Sequence, residues 1–394
     1  YYSGDRAAIR NIIDVITRWQ KSPNTNTEVQ YARILKAYMF QVMTDLYGDV
    51  PYSEAGLATS GIGYPKYDKQ KDIYAAILNE LEEVNTELTG AANSVILSNA
   101  DIMYGGNTES WRKFGNSLML RVAMRLSKVD PATASQWAKL AVKNGVFTQV
   151  EESAKVPHVG SIISNDSAEP YAKILASRDP EAFFLSEYFI NELKSSSDPR
   201  IHLLATKCEN LKPTWSTPNF DFGNSDNIDA LIGLRSGYED AAGDWDVKNM
   251  PGFPVGDKNW RTHYAVINRQ TLANPEAPSM LLTHGQTQLL LADAAARGFI
   301  DGGNSAAKAY FKQGLEASME QFKLYPAAKA SYNTYLTGSK LTDFITQRLA
   351  AFDANPLEEI NWHYYVVSLG NEYEAFSNWR RSGYPALKPV YEAP

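Results

Sequence analysis

Apolar residues recur along this chain at helical spacing far more often than they alternate. Ile9, Ile12, Ile13 and Ile16 fall at i, i+3, i+4 and i+7 and predict a helix over 5–19. Tyr31, Ile34, Leu35, Tyr38, Met39, Val42, Met43 and Leu46 carry the same stripe onward until Gly48 and Pro51 end it. Asp68 is placed to cap a third helix, with Ile73, Tyr74, Ile77, Leu78, Leu81, Val84 and Leu88 inward and Gly90 beyond its end. Thr108 is placed to cap a fourth that carries Trp111, Phe114, Leu118 and Val122. A fifth, over 133–143, follows Asp130-Pro131.

From residue 151 to 277 the period fades. Between Glu209 and Tyr264 lie six Gly, four Pro and eight aromatics among Asp and Asn, a mixture that makes loops and short hairpins. One helix over 180–193 interrupts the start of this stretch. Helices resume after Pro278. The segment 279–297 ends at Gly298, turns through Asp301-Gly302-Gly303-Asn304 and restarts over 305–324, an antiparallel pair of tetratricopeptide-like size. Segments 341–352 and 356–381 close the chain. The pattern predicts an all-α domain over 1–394, built of stacked tetratricopeptide-like helical hairpins. A helical scaffold at 1–150 and another at 278–394 flank a loop-rich insertion at 151–277, the expected ligand face, since a long loop in a compact chain is usually functional.

Composition narrows the function. A chain of 394 residues hides roughly three-quarters of its unfolded surface, so 44% apolar residues suffice for a large core. Lys and Arg number 38 against 45 Asp and Glu, a formal charge of -7, the wrong sign for a protein that neutralises phosphates. Nucleic acid is therefore not an expected partner. The single cysteine, Cys208, excludes a disulfide framework and a multi-thiolate zinc site, and is expected to be a small buried side chain. No run approaches the ~18 consecutive apolar residues of a membrane helix. The chain opens Tyr1-Tyr2-Ser3 without an initiator Met, and targeting information is expected to have preceded it.

Enzyme signatures are missing: no nucleophile elbow, no phosphate-binding loop, no dinucleotide fingerprint and no paired-histidine zinc motif. His158, His202, His263, His284 and His363 contain no helical i,i+4 pair, and neither metal nor cofactor is expected. Glu82-Glu83, Glu151-Glu152 and Glu358-Glu359 point apart on a helix, as solvated faces do. Asp221, Asn224, Asp226, Asn227 and Asp229 lack the ligand order of a calcium loop and are expected to form turns.

The informative constellation is aromatic. Trp215, Phe220, Phe222, Tyr238, Trp245, Phe253, Trp260 and Tyr264 sit among Gly, Pro, Asp and Asn with no period that would aim them all inward. Sugar rings present C–H faces that lie on Trp and Tyr, and their hydroxyls need amide and carboxylate partners. Two readings stand side by side: a carbohydrate face, or aromatics that pin irregular loops to the scaffold. The expected ligand contacts are Trp215, Tyr238, Trp245, Trp260 and Tyr264, with Tyr64 and Tyr67 as a smaller second set.

Five segments, in order, resemble the SusD/RagB family of outer-membrane lipoproteins: "YARILKAYMFQVMTDLYGDVPYSEA", "YDKQKDIYAAILNELEEVNTEL", "DIMYGGNTESWRKFGNSLMLRVAMRLS", "PSMLLTHGQTQLLLADAAARG" and "EAFSNWRRSGYPAL". They span about residues 8–388. The resemblance implies a non-catalytic, lipid-anchored protein on the outer face of a Gram-negative outer membrane. It would capture oligosaccharides, or peptides in one branch, and pass them to a SusC-like TonB-dependent transporter. The matching motifs are scaffold motifs: Tyr47, Gly48, Asp49 and Pro51 form a turn, and Asn378, Trp379, Arg380 and Arg381 pack or pair within the fold. The family's lipid-bearing cysteine is missing from this chain. His284, Gly285, Gln286 and Asp293 stand where relatives often carry Tyr, Ala, Glu and Glu, so altered packing is expected there. Two alternatives from other classes are an α/α-barrel-type glycoside hydrolase or lyase and a helical-repeat scaffold that binds peptides.

Overall fold

A computed structural model describes residues 8–160, 167–178, 183–211, 220–222, 227–238, 243, 245–256 and 260–388. Among these the fold is helical, with fourteen α-helices and a few strands of three to seven residues. The chain divides into two compact units. The first contains 1–155, 280–317 and 352–385, and the second 156–279, 318–351 and 386–394.

In the first unit α1 (Ala8–Trp19), α2 (Asn26–Tyr47), α3 (Gln70–Leu88), α4 (Thr108–Arg125) and α5 (Pro131–Asn144) each pack on the next. The stripe residues Ile34, Met43, Ile73, Ile77, Leu81 and Phe114 are buried. Helix α2 also buries Glu28, Gln41, Thr44 and Asp45, because α1, α3, α4 and a late helix all lie against it. Two caps differ from their expected residues. Asn107 caps α4 by accepting the Ser110 amide at 2.9 Å. Thr108 instead donates to the Ala92 carbonyl and meets the Tyr31 hydroxyl at 2.6 Å. Asp68 accepts the Tyr52 and Ser53 amides, while Asp49 accepts that of Gln70 at the start of α3.

In the second unit lie α6 (Pro170–Arg178), α7 (Glu187–Ser195) and α8 (Ile201–Leu204). Of the helix expected over 180–193, residues 180–182 lie outside the described residues; α7 starts at Glu187, where Ser186 accepts the Phe189 amide as N-cap, and α6 has no apolar stripe long enough to announce it. Strand β1 (Ala154–Val156) precedes them. The strand β2 (Ala205–Leu211) lies between β3 (Phe220–Phe222) and β4 (Ala265–Ile267), antiparallel to both. Its register sets Ala205 opposite Ile267 and Cys208 opposite Phe222, with a bulge before Asn210. Cys208 is buried, as expected.

The late segments depart from the helical expectation twice. Residues 279–282 form β5 (Ser279–Leu282), and α9 (His284–Ala296) starts only after Thr283. Thr283 and Gln286 make a reciprocal capping box, each accepting the other's amide at 3.1 Å. Helix α10 (Gly303–Glu320) returns along α9, and Gly314 sits where they meet: a Cβ there would lie 2.8 Å from Leu289. After α11 (Lys329–Tyr335) and α12 (Ser339–Ala354), the expected single helix over 356–381 is two, α13 (Pro356–Val367) and α14 (Glu372–Ser382). Gly370, at φ 86°, makes the break, and Asn371 caps α14.

Residues of the family-like segments, joined by Asn361 and Tyr364, form a buried polar lattice in the first unit. Arg125 bonds Asp45 at 2.9 Å and Glu374 at 2.6 Å. Arg121 reaches Gln286 at 2.9 Å, and Tyr364 donates to Glu374 at 2.7 Å. Arg381 binds Asp293 at 2.8 Å and donates to Asn361 and Asn378, while Arg297 reaches Asp293 at 2.5 Å. Burial opposes ionisation of Asp293, but Arg381 and Arg297 outweigh it and hold its carboxyl below the usual range. Burial likewise opposes Glu374, and Arg121 and Arg125 reverse that in the same way. Gln286 and Asp293, two of the four departures from the family pattern, are therefore full members of the lattice.

Candidate functional site

Exposure separates the aromatics into surfaces and anchors. In the second unit, Trp245 is 39% exposed and stands edge-on to half-buried Tyr238, with ring centroids 5.8 Å apart at 62°. Trp245 rides a short, locked turn. Asp246 accepts the Lys248 amide at 2.9 Å, Asn249 donates to the Gly243 carbonyl at 2.8 Å, and Val247 is buried. Locking the backbone in this way lets a large ring stay exposed without freedom to collapse inward.

Tyr238 follows a close backbone weave. Leu234 N–H donates to Leu185 and Glu187 N–H donates back to Leu234, while Leu185 and Ala265 N–H groups bond Ala265 and Ile232 carbonyls. Gly233 is required here: a Cβ would stand 2.4 Å from the Ser186 carbonyl oxygen. The weave also brings Arg235 to Glu187 at 3.0 Å, both side chains about two-fifths exposed (40% and 42%) and next to Tyr238. This charged pair beside the ring corner was not anticipated from sequence, because the two residues are 48 positions apart.

Trp260 and Tyr264 are corrected. They are 8% and 1% exposed and pack with Val247 and Met250 against Phe184, Leu234, Tyr238 and Phe253. A buried ring cannot offer its face to a sugar, so these two anchor the loops. Trp260 adds the Arg261 guanidinium over its ring at 4.7 Å. Burial raises the Tyr264 pKa, and its hydroxyl has no hydrogen-bond partner among the described residues. Trp215 lies outside the described residues, as do the side chains of Phe220, Phe222, Asp221, Asn224 and Asp226.

In the first unit Tyr64 and Tyr67 are 98% and 71% exposed. Their loop is tied at its base by the Val50–Asp68 bridge, by the Asp68 bonds to Tyr52 and Ser53, and by the Lys66 amide on Glu54 at 2.9 Å. Exposed Tyr47 stands at the end of α2. Trp111, by contrast, is a core residue: it stacks on Tyr31 at 5.0 Å and donates to Asp101 at 2.7 Å. No cluster of three His, Cys, Asp or Glu able to hold a metal occurs among the described residues, and no helix there is long and apolar enough to cross a membrane.

The family model described as SusD-like, starch-binding and associating with the outer membrane, matches residues 1–394. A solved chitin-binding protein shares 30% identity over 98% of this chain and 75% of its own, with a TM-score of 0.72. A Bacteroidetes SusD-like structure superposes with a TM-score of 0.77 at 24% identity, covering 97% of this chain and 77% of its own. A SusD homologue from Bacteroides fragilis gives 0.72 at 22%, covering 96% and 76%. No protein of curated function matches by sequence.

Proposed function

The chain belongs to the SusD-like family, whose members are binding proteins rather than enzymes, and from that premise we propose that it captures oligosaccharides at the outer face of the outer membrane. One observation carries the reading: an exposed Trp245 fixed edge-on to Tyr238 on a locked turn, beside a half-exposed Arg235–Glu187 pair. The indole face supplies a flat apolar surface for sugar C–H groups. The charged pair supplies donors and acceptors for hydroxyls at the edge. No covalent step is needed.

Tyr64 and Tyr67 are proposed as a second contact set, and Trp215 keeps its place as a candidate on sequence grounds alone. The proposed anchor is an N-terminal lipid, and the proposed recipient of the glycan is a SusC-like TonB-dependent transporter; both rest on family membership. The names of the matched family and of the 30%-identical relative select the first ligands to try, soluble starch oligomers and chitin oligomers. Titration calorimetry with each series, on the wild type and on Trp245→Ala, tests the proposal. Binding that Trp245→Ala leaves unchanged would move the ligand face elsewhere, and absence of binding to any glycan across an array would sink the function.

A further inference from the structure

A hydrogen-bonded chain in the second unit is left over from the glycan reading and is independent of it. His158 Nδ1 lies 3.1 Å from the Ser167 carbonyl oxygen, and its Nε2 lies 2.9 Å from Ser279 Oγ. Ser279 Oγ is in turn 2.9 Å from Glu169 Oε1. The other Glu169 oxygen accepts the Ala172 amide at 2.6 Å in the first turn of α6. Glu169 is 7% exposed, and His158 and Ser279 are half-buried. The order differs from a hydrolase triad, in which a carboxylate orients the histidine; here the carboxylate draws on the serine.

Counting protons along the chain exposes a shortage. A carbonyl oxygen only accepts, so Nδ1 carries a hydrogen in every state. With His158 neutral and Glu169 ionised, Nε2 and Oε1 are both bare acceptors, and the one Ser279 hydrogen can serve only one of them. Two lone pairs then face each other at 2.9 Å on the side left out. One added proton completes the chain in either direction: Nε2–H to Ser279 and Ser279 O–H to the carboxylate, or the carboxyl O–H to Ser279 and Ser279 O–H to Nε2.

We infer that His158, Ser279 and Glu169 form a proton-operated clasp, in which one shared proton fastens residues 156–160 and the start of α6 to residue 279, and loss of that proton loosens them. Burial raises the Glu169 pKa, and the His158 charge pulls against that rise. Tyr325 also faces Glu169, but burial raises its pKa and keeps it uncharged. The sign follows from linkage: the folded state holds a proton that the unfolded chain releases first, so the clasp is present on the acid side and is lost as pH rises.

Hydrogen exchange on the full chain, corrected for intrinsic rates, tests the clasp at about pH 5.5 and about pH 8, either side of the histidine range. The Val159 amide, which donates to Ser167, should lose about tenfold in protection over that interval in the wild type, the worth of roughly one hydrogen bond. In His158→Gln and Ser279→Ala the loss should vanish. A wild type as flat as the variants overturns the clasp, and so do variants that keep the drop. A third readout needs no substitution: ¹⁵N spectra of the deprotonated His158 ring must show hydrogen on Nδ1, and an Nε2–H tautomer would overturn the proton count even if both variants failed to fold.

Discussion

Trp245 and Trp260 are fifteen positions apart in one aperiodic stretch, and the chain gives them opposite work. What decides is the turn beneath each ring. Val247, two positions after Trp245, is buried in one cluster with Met250, Trp260 and Tyr264, while Trp245 itself stays 39% exposed. Trp245→Ala should therefore cost about 2 kcal/mol or more in glycan affinity, roughly thirtyfold in Kd, as truncation of a hot-spot ring does. Its Tm should barely move, because an exposed ring contributes little to folding. Trp260→Ala should do the reverse and lower stability by about 3–5 kcal/mol, the usual result of emptying a large buried side chain. Paired calorimetry and thermal melts check both. If Trp260→Ala melted like the wild type and lost the glycan, the division between platform and anchor would be wrong.

At the level of helices, most of the first unit was legible from periodicity, because Ile34, Ile73, Ile77, Leu81 and Phe114 answer to one physical demand, an apolar stripe against a neighbour. The failures have local causes. Val366, Leu369, Tyr373 and Phe376 fall at i, i+3, i+7 and i+10 across Gly370, so the break between α13 and α14 was hidden by a pattern that continues through it. Met280 and Leu282 extend the α9 stripe backward, although Thr283 caps the helix and leaves them in β5. The anchors among the loop aromatics could not be told from the platform, since no period aims them and only long-range packing decides. The buried lattice that ties α2, α4, α9, α13 and α14 was equally silent, because its partners lie far apart in sequence. It makes a prediction with a definite sign. Asp293 and Glu374 have folded pKa values below their unfolded ones, so the stability they contribute is present above the ordinary carboxylate pKa of about 4 and is lost as pH falls through the lower folded values. Asp293→Asn should be less stable than the wild type at neutral pH by about 3–5 kcal/mol, since it leaves Arg381 and Arg297 without their buried counter-charge. It should also lose less on acidification. Denaturant titrations at neutral pH and near pH 3 give both numbers, and an unchanged acid slope would remove Asp293 from the account.

For the whole molecule, the competing classes differ in what happens to the ligand after it binds. A hydrolase or lyase must place an acid and a base or nucleophile across a sugar bond, a few ångströms apart and with separated pKa values. At the Tyr238–Trp245 corner the carboxylates placed among the described residues are those of Glu187, which Arg235 binds at 3.0 Å, and Asp246, which accepts the Lys248 amide at 2.9 Å. Carboxylates committed to an ion pair and to a backbone turn orient hydroxyls rather than flank a scissile bond as an acid and base pair. The expected outcome is retention: a glycan that saturates the protein in calorimetry should be recovered at full length after prolonged incubation, with no new reducing ends and no unsaturated products. Sustained turnover in wild type, abolished in Glu187→Gln, would replace the receptor by an enzyme. If the glycan is instead held intact, the protein needs somewhere to deliver it, and mild-detergent purification from its native membrane should bring down a large barrel subunit in near-equal amount. An interface stable enough to survive that procedure would bury on the order of 1,200–2,000 Å². Recovery without any barrel partner, from membranes in which the glycan-binding activity is intact, would count against delivery while leaving capture standing.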